Sequence, residues 1–434
     1  MITRAAILST GDELTTGRTL DTNANYIADK LVGIGLEVAT IVIVGDFRER
    51  IAWAWREALR QADVVISTGG LGPTADDLTT VTIGEVTGRE LVMDEEVADR
   101  IRRMFEAMGR RMPENNLQQA MFPQGAVIVP NALGTAPGYR LSITADSIGV
   151  GAASEEKHLI VLPGVPREMK PMLEQTVLPW LQSQRGGDEI YVSQVFQTFG
   201  ISESALDEEV AKVLRADEAR IAFRAAFPQV SVRLTVQGRP EQAPARLAEL
   251  STRLREGLAE YVYGEGDTTM EAEVGKLLAA RGMTIALAES CTGGLIGNRL
   301  TNVAGSSAYL KGGVIAYSNE VKEKQLGVRA ETLAAHGAVS VETAEEMATG
   351  VRRLIGADLG LAVTGIAGPD GGTSDKPVGT VCFALVSAGR TFHRRYQLWG
   401  NREWVKLLSS QIALDWIRRY LLGFDPTLAT ILRK

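Results

Sequence analysis

Cysteine and histidine are scarce in this chain, which has two cysteines and three histidines among 434 residues. Two cysteines, Cys291 and Cys382, are too few for the disulfide framework of a small secreted domain. The three histidines show no spacing typical of a zinc site. Any bound metal ion is therefore expected to be held by carboxylate oxygens.

Long hydrophobic runs are also missing. No uncharged apolar segment approaches the roughly 18 residues that cross a bilayer. The N-terminus has one basic residue, Arg4, and a short apolar stretch that runs directly into Asp12 and Glu13, which is not the pattern of a signal peptide. We therefore expect a cytoplasmic protein that does not associate with a membrane.

The chain has no excess of positive charge. Its 46 Lys and Arg residues against 53 Asp and Glu residues give a formal net charge of -7, which argues against a general nucleic-acid binder and favours small-molecule chemistry. A hydrophobic content of 45% is typical of folded proteins. At about 150 residues per domain, this length predicts two or three domains.

The apolar patterning predicts three domains. Residues 1–182 alternate strand-length apolar runs with segments of helical period, which predicts an α/β domain with a parallel sheet and crossover helices. Residues 184–262 show a β-α-β-β-α order, which indicates a small KH-like α+β domain. It lacks the Gly-x-x-Gly loop of RNA-clamping versions, so a spacer or packing role is favoured over RNA binding. After a predicted linker at 264–267, residues 265–424 are predicted to form a second α/β domain.

Ser290 is the first candidate catalytic residue. It follows the predicted strand Ile285–Ala288, and Gly293 and Gly294 open a helical stretch. Backbone N–H groups at such a corner can stabilise an oxyanion or bind a phosphate, so Thr292, Gly293 and Gly294 are predicted to contact substrate. The alternative is that Ser290 only caps a helix.

A serine nucleophile needs a base, and Lys322 is the candidate. Tyr317 lies at another strand end, before the helix that carries Lys322. If burial lowers the lysine pKa toward neutrality, Lys322 could take the Ser290 proton. Alternatively, Lys322 is a solvated surface charge. Cys291 is a rival nucleophile, but its sequence neighbours supply no cation.

Glycine-rich loops follow other predicted strands. One loop begins at Thr364 and Gly365; its glycines allow the backbone to approach a ligand, although a flexible turn is the alternative. In the N-terminal domain, a Gly-Gly-x-Gly loop leads to Asp76 and Asp77, which could hold a divalent cation that bridges phosphate oxygens. Asp77 could instead only favour a helix N-terminus through the helix dipole.

Four segments of the last third of the chain resemble the C-terminal domain of the CinA family: 288–294, 317–319, 365–372 and 376–380. The resemblance implies a nicotinamide mononucleotide deamidase that releases nicotinic acid mononucleotide and ammonia without a cofactor. It also implies that Ser290 is the nucleophile, assisted by Tyr317 and Lys322. Further substrate contacts are implied at Thr364, Gly365 and Arg402.

Segments 68–77, 131–138 and 162–169 are similar to the molybdopterin-binding fold in its CinA version. The resemblance implies a metal-dependent ADP-ribose pyrophosphatase that releases AMP and ribose 5-phosphate. It implies a Mg- or Co-like ion at Asp76 and Asp77, with Asp77 also catalytic. The implied substrate contacts are Asp12, Asp46, Gly69, Gly70, Gly72 and Thr74.

The expected partners are pyridine and adenine nucleotides, without direct binding of nucleic acid, and fold relatives suggest a homodimer. Two alternatives remain open. The protein could bind molybdopterin for cofactor biosynthesis without turnover, because relatives of this fold do so. It could also act as a non-enzymatic adaptor in DNA competence or repair.

Overall fold

The computed structural model describes residues 1–152, 154–185 and 189–428, and the chain forms two compact units. The first comprises residues 1–192 with 237–243, and the second comprises residues 193–236 with the chain from 244 onward. Each is a mixed α/β structure. Within the described parts of the chain, no helix combines the length and apolar character needed to cross a bilayer.

The first unit is built on a six-stranded sheet with the order β2-β1-β3-β8-β7-β6, beside a small pair β4-β5. The strands are β1 (Arg4–Thr10), β2 (Glu37–Val44), β3 (Val64–Thr68), β4 (Leu91–Met93), β5 (Met121–Pro123), β6 (Val127–Val129), β7 (Gly138–Thr144) and β8 (Glu156–Leu162). The helices are α1 (Asp12–Thr15), α2 (Thr22–Gly33), α3 (Arg48–Gln61), α4 (Thr79–Thr87), α5 (Glu95–Ala107), α6 (Pro166–Met172) and α7 (Leu178–Gln184).

The predicted alternation of strands and helices is confirmed in this unit, but the sheet is only partly parallel. Strands β1, β2, β3 and β8 run parallel, whereas β7 pairs antiparallel with both β6 and β8. A hairpin connects β7 to β8 through residues 145–155, and the described residues of this connection form no crossover helix. The carboxyl ends of β1, β2 and β3 still lie at one edge, where the polar loops of this unit begin.

The middle segment of the chain forms a four-stranded sheet with the order β10-β11-β9-β12. Its elements are β9 (Ile190–Thr198), α8 (Glu203–Val213), β10 (Arg220–Ala226), β11 (Gln229–Gly238), α9 (Ala243–Gly257) and β12 (Val262–Glu265). The predicted β-α-β-β-α order is confirmed. The predicted linker at 264–267 is partly wrong, because Gly264 and Glu265 pair with β9 as the end of β12.

The C-terminal segment forms a five-stranded sheet with the order β14-β13-β15-β16-β17. The strands are β13 (Ile285–Glu289), β14 (Leu310–Ile315), β15 (Leu359–Gly365), β16 (Thr380–Ser387) and β17 (Arg390–Gln397). The helices are α10 (Met270–Ala280), α11 (Leu295–Thr301), α12 (Asn319–Leu326), α13 (Ala330–His336), α14 (Val341–Ile355) and α15 (Arg402–Leu422). Strand β13 runs parallel to both neighbours, so Ser290, Tyr317 and Thr364 lie near one edge of the sheet.

The middle and C-terminal segments share one hydrophobic core. Phe199 and Tyr263 of the middle segment are buried in the same cluster as Met270, Val274 and Trp416. A continuous apolar core of this kind opposes relative motion, because separating the two segments would expose its side chains to water.

Close helix packing in the second unit gives a stability prediction. Gly350 is buried in α14, where an added methyl group would collide with the backbone carbonyl of Leu326. Although alanine favours a helix over glycine by about 1 kcal/mol, we expect Gly350→Ala to destabilise the protein by ~1–3 kcal/mol through overpacking. Thermal unfolding would measure the change. Thr349→Ala, at the adjacent exposed position, is the matched control; equal or higher stability of Gly350→Ala would contradict the packing.

Candidate active sites

The Ser290 hydroxyl and the Lys322 amine meet inside the C-terminal domain. Ser290 directly follows β13, Lys322 lies in α12, and the Nζ–Oγ distance is 3.2 Å. The Ser290 amide donates to the Val363 carbonyl at 2.9 Å, which fixes the residue beside β15. Two side chains 32 positions apart in the sequence are thus within hydrogen-bonding distance.

The Lys322 side chain is almost fully buried, with 1% exposure. Its amine donates to the Ala316 carbonyl at 2.7 Å and also contacts the Tyr317 carbonyl at 3.4 Å. These acceptors and the Ser290 hydroxyl are all neutral oxygens. Burial therefore lowers the pKa of Lys322, since the charged form loses hydration without gaining an anionic partner. The alternative interpretation of Lys322 as a solvated surface charge is wrong.

The side chain of Glu289, the last residue of β13, binds the N-terminus of α11. The prediction that this helix end offers free amides to a substrate anion is therefore wrong for the Gly293 and Gly294 amides. The buried Glu289 carboxylate accepts hydrogen bonds from the amides of Gly294, Ile296 and Gly297 at 2.8–3.1 Å. The Gly293 amide donates to the Ser290 carbonyl at 3.1 Å. The amides of both predicted glycines therefore have acceptors already, and the helix end is neutralised by an internal carboxylate.

Two other backbone donors lie beside Ser290. The Cys291 and Thr292 amides have no acceptor in another described residue. Cys291 lines the same cavity as Ser290, whereas Thr292 is fully buried, and its hydroxyl has no partner among the described residues. The amide that follows a nucleophile is a common oxyanion donor. The Cys291 thiol itself is a poor nucleophile, because burial raises its pKa to about 12.

A cavity of about 170 Å³ brings most of the predicted C-terminal residues together. Arg402, from the start of α15, donates to the Gly368 carbonyl at 2.7 Å and to the Tyr317 hydroxyl at 3.0 Å. Tyr317 is 62% exposed, and its hydroxyl accepts a hydrogen bond from Arg402 instead of contacting Ser290. The Thr364 hydroxyl donates to the Ala338 carbonyl at 2.8 Å. The cavity is lined by Ser290, Cys291, Tyr317, Lys322, Ala338, Val339, Thr364, Gly365, Ala367 and Arg402.

Ala338 and Val339 are cavity residues that the sequence analysis missed. They lie between α13 and α14, before the cap residue Ser340, and neither carries a polar group that would suggest a site. Their contribution is one apolar wall, which follows from the position of the loop rather than from a recognisable motif.

In the N-terminal unit, the glycine-rich loop after β3 is tightly folded around Asp77. The Asp77 carboxylate accepts hydrogen bonds from the Thr74 amide at 2.9 Å and the Thr74 hydroxyl at 2.6 Å. Gly69 and Gly70 have positive φ values of 102° and 67°, so this turn requires glycine. Gly70, Gly72 and Asp77 line a cavity of about 120 Å³.

Amide side chains from 114–120 hold this loop, and the sequence analysis did not identify them. Asn115 donates to the Pro73 carbonyl at 2.9 Å, and Gln119 donates to the Leu71 carbonyl at 3.3 Å. Gln118 and Gln119 also line the cavity, and the side-chain oxygen of Gln119 is buried without a partner among the described residues.

Asp12 and Asp46 bind each other's backbone at the ends of β1 and β2. The Asp12 amide donates to the Asp46 carboxylate at 3.0 Å, and the Asp46 amide donates to Asp12 at 3.1 Å. Burial raises the pKa of Asp46, and the negative charges of Asp12, Glu13 and Asp76 add to the increase, while the bond from the Asp12 amide opposes it. Unbalanced negative charge therefore collects at this edge of the sheet.

This acidic edge fits a hard divalent cation with few protein ligands. In the described residues, no group of three or more His, Cys, Asp or Glu side chains is arranged to hold a metal ion. Magnesium commonly uses one or two carboxylates and takes its other ligands from water and substrate phosphates. A cation at this edge would offset the repulsion that the carboxylates of Asp12, Glu13 and Asp76 exert on that of Asp46.

Three family profiles match consecutive parts of the chain. The profile described as probable molybdopterin binding domain matches residues 6–183, the one described as damage-inducible protein CinA KH domain matches 193–264, and the CinA C-terminal domain profile matches 267–421. The prediction of a KH-like middle domain between two α/β domains is confirmed.

Curated relatives match over nearly their whole length. A putative competence-damage inducible protein of Halothermothrix orenii is 43% identical over 420 residues, covering 96% of this chain and 98% of that protein. A protein of the same description from Acetivibrio thermocellus is 44% identical over 420 residues, with the same coverage. A solved structure of a CinA superfamily protein from Klebsiella pneumoniae is 39% identical and covers 36% of this chain and 97% of its own, with a TM-score of 0.35.

Proposed function

Since this chain belongs to the CinA family, we propose that its C-terminal domain hydrolyses the amide of nicotinamide mononucleotide to nicotinic acid mononucleotide and ammonia. The observation that carries the proposal is the buried Lys322 amine, 3.2 Å from the Ser290 hydroxyl. A serine with a desolvated lysine as its base is a known variant of the serine-hydrolase arrangement.

The reaction starts from the neutral Lys322 amine. Lys322 accepts the Ser290 proton while Oγ attacks the carboxamide carbon, which forms a tetrahedral oxyanion beside the Cys291 amide. The protonated Lys322 then gives its proton to the amide nitrogen of the intermediate, so the C–N bond breaks, ammonia leaves and an ester of Ser290 remains. Water, deprotonated by Lys322, then hydrolyses the ester, which releases the carboxylate and restores the Ser290 hydroxyl.

The cavity is large enough for only the reacting part of the proposed substrate. A volume of about 170 Å³ is below the roughly 300–1,000 Å³ of typical ligand pockets, so the reacting ring enters and the rest of the nucleotide extends outward. Arg402 lies in the cavity wall and is exposed, where its positive charge suits the substrate phosphate. Tyr317 orients Arg402 through its hydroxyl.

For the N-terminal domain we propose metal-dependent hydrolysis of ADP-ribose to AMP and ribose 5-phosphate. The observation that favours it is the collection of carboxylates at the sheet edge, next to a glycine loop with a cavity. A divalent ion held by Asp76 and Asp77 would neutralise phosphate charge. The loop Gly69–Gly72 would bring its backbone to the diphosphate, and Thr74 would hold the Asp77 carboxylate in place. Binding of molybdopterin without turnover is the competing function.

The nucleophile assignment predicts opposite results for two adjacent residues. Ser290→Ala should lower the rate of ammonia release from nicotinamide mononucleotide by about 10⁴-fold or more, because the covalent route is lost. Cys291→Ala should retain near-wild-type activity, since the buried thiol with its raised pKa takes no part. A coupled ammonia assay would decide; activity retained in Ser290→Ala but lost in Cys291→Ala would assign the chemistry to the cysteine.

The buried lysine predicts a pH profile. Only neutral Lys322 accepts the proton, so kcat/KM should rise with pH as Lys322 loses its proton. The midpoint of this rise should lie below the ordinary lysine pKa of about 10.4. Lys322→Arg should be inactive, since a guanidinium group stays protonated. A profile that is flat, or that rises only near the ordinary lysine pKa, would contradict this role.

The two sites should be separable by mutation. Asp77→Asn preserves an acceptor for Thr74 but removes the charge, and it should abolish metal-dependent AMP release from ADP-ribose while leaving ammonia release intact. Asp99→Ala, which removes an exposed carboxylate on α5, is the control. Measurement of both products in one preparation is the test, and unchanged AMP release by Asp77→Asn would remove Asp77 from the mechanism.

A further inference from the structure

The tip of the β10–β11 hairpin carries an exposed aromatic ring that contacts the C-terminal domain. Ala226 and Gln229 form the last pair of the hairpin, so Phe227 lies in the two-residue turn. Its ring stacks on the indole of Trp404, with centroids 4.3 Å apart and planes inclined by 22°. The middle domain thus touches α15 through a side chain that has no role in its own core.

Trp404 belongs to the helical turn that carries Arg402. Its amide donates to the Asn401 side chain at 2.9 Å, and its own side chain packs closely over Gly400. A Cβ atom at Gly400 would lie 2.9 Å from Trp404, and the positive φ of 97° there also favours glycine. Arg402 extends from the same turn to the Gly368 carbonyl and the Tyr317 hydroxyl. A shift of this turn would therefore move the guanidinium group relative to Ser290.

The middle domain also contacts α15 near its other end. Arg418 is 1% exposed and donates to the carbonyls of Glu260 at 2.7 Å and Val262 at 3.2 Å. Arg419 pairs with the Glu260 carboxylate at 3.0 Å. These bonds and the Phe227 stack fix the helix at two places, and only the stack lies beside the candidate site.

We propose that the middle domain completes the C-terminal active site, because Phe227, acting through Trp404, positions Arg402 for the anionic part of the substrate. The proposal rests on the deamidase function proposed above. It assigns the middle domain a role in substrate affinity instead of a spacer role. Phe227 is a positioning residue, so its loss should affect binding of the phosphate-bearing substrate and leave the chemistry at Ser290 unchanged.

The test is the kinetics of ammonia release from nicotinamide mononucleotide by the full chain. Phe227→Ala should raise KM about 2- to 10-fold, the effect expected for one lost aromatic pair, with kcat and the melting temperature near those of the wild type. Phe227→Tyr should restore KM. Trp404→Ala should resemble Phe227→Ala, and the double variant should show no further increase, because both changes remove one interaction.

Leu354→Ala, which removes an exposed apolar side chain from α14, is the control and should not change KM. Wild-type KM in Phe227→Ala, or a fall in kcat alone, would overturn the proposal. Hydrogen exchange of the amides at 403–407 gives a readout independent of turnover: exchange should be faster in Phe227→Ala than in the wild type. If the wild type releases no ammonia, the deamidase function fails, while unchanged exchange overturns the positioning role separately.

Discussion

Burial of the Lys322 amine against the Ser290 hydroxyl is the constraint on which the C-terminal site depends. A buried ammonium group without an anionic partner loses its hydration. The pKa of Lys322 is therefore lowered, and the neutral amine is more favoured in the protein than it would be in water. The surrounding acceptors are backbone carbonyls of the turn that follows β14, and strand pairing fixes their positions. The sheet therefore holds the buried Lys322 amine beside the Ser290 hydroxyl, which is the arrangement that the proposed base and nucleophile require.

Glu289 has the complementary role on the other side of Ser290. Its carboxylate satisfies three amides at the start of α11, so the helix end attracts no external anion. In the proposed reaction, the cavity-lining donor next to Ser290 is then the Cys291 amide, and the proposed cation for the substrate is Arg402, which comes from α15. The groups that would hold a negative charge are therefore separated: one lies at the reacting carbon and one at the cavity wall.

Much of this arrangement follows from local sequence. Helix α14 (Val341–Ile355) follows from its own sequence, because buried residues recur along it at helical spacing between the Ser340 cap and Gly356. The proximity of Ser290, Tyr317 and Thr364 follows from placing parallel strand ends at one edge. By contrast, the contacts of Asn115 and Gln119 with the glycine-rich loop depend on tertiary pairing, which single-sequence periodicity does not report. The engagement of the Gly294 amide by Glu289 also depends on side-chain direction and not on spacing.

In the proposed reaction, Ser290 forms a covalent bond to the substrate with Lys322 as its base. The most direct measurement is mass spectrometry of protein quenched in acid during turnover of nicotinamide mononucleotide, with fragmentation that separates Ser290 from Cys291. We expect a transient ester of the substrate acyl group on Ser290, absent in Ser290→Ala. An adduct on Cys291, or steady ammonia release with no adduct at any time or pH, would contradict it.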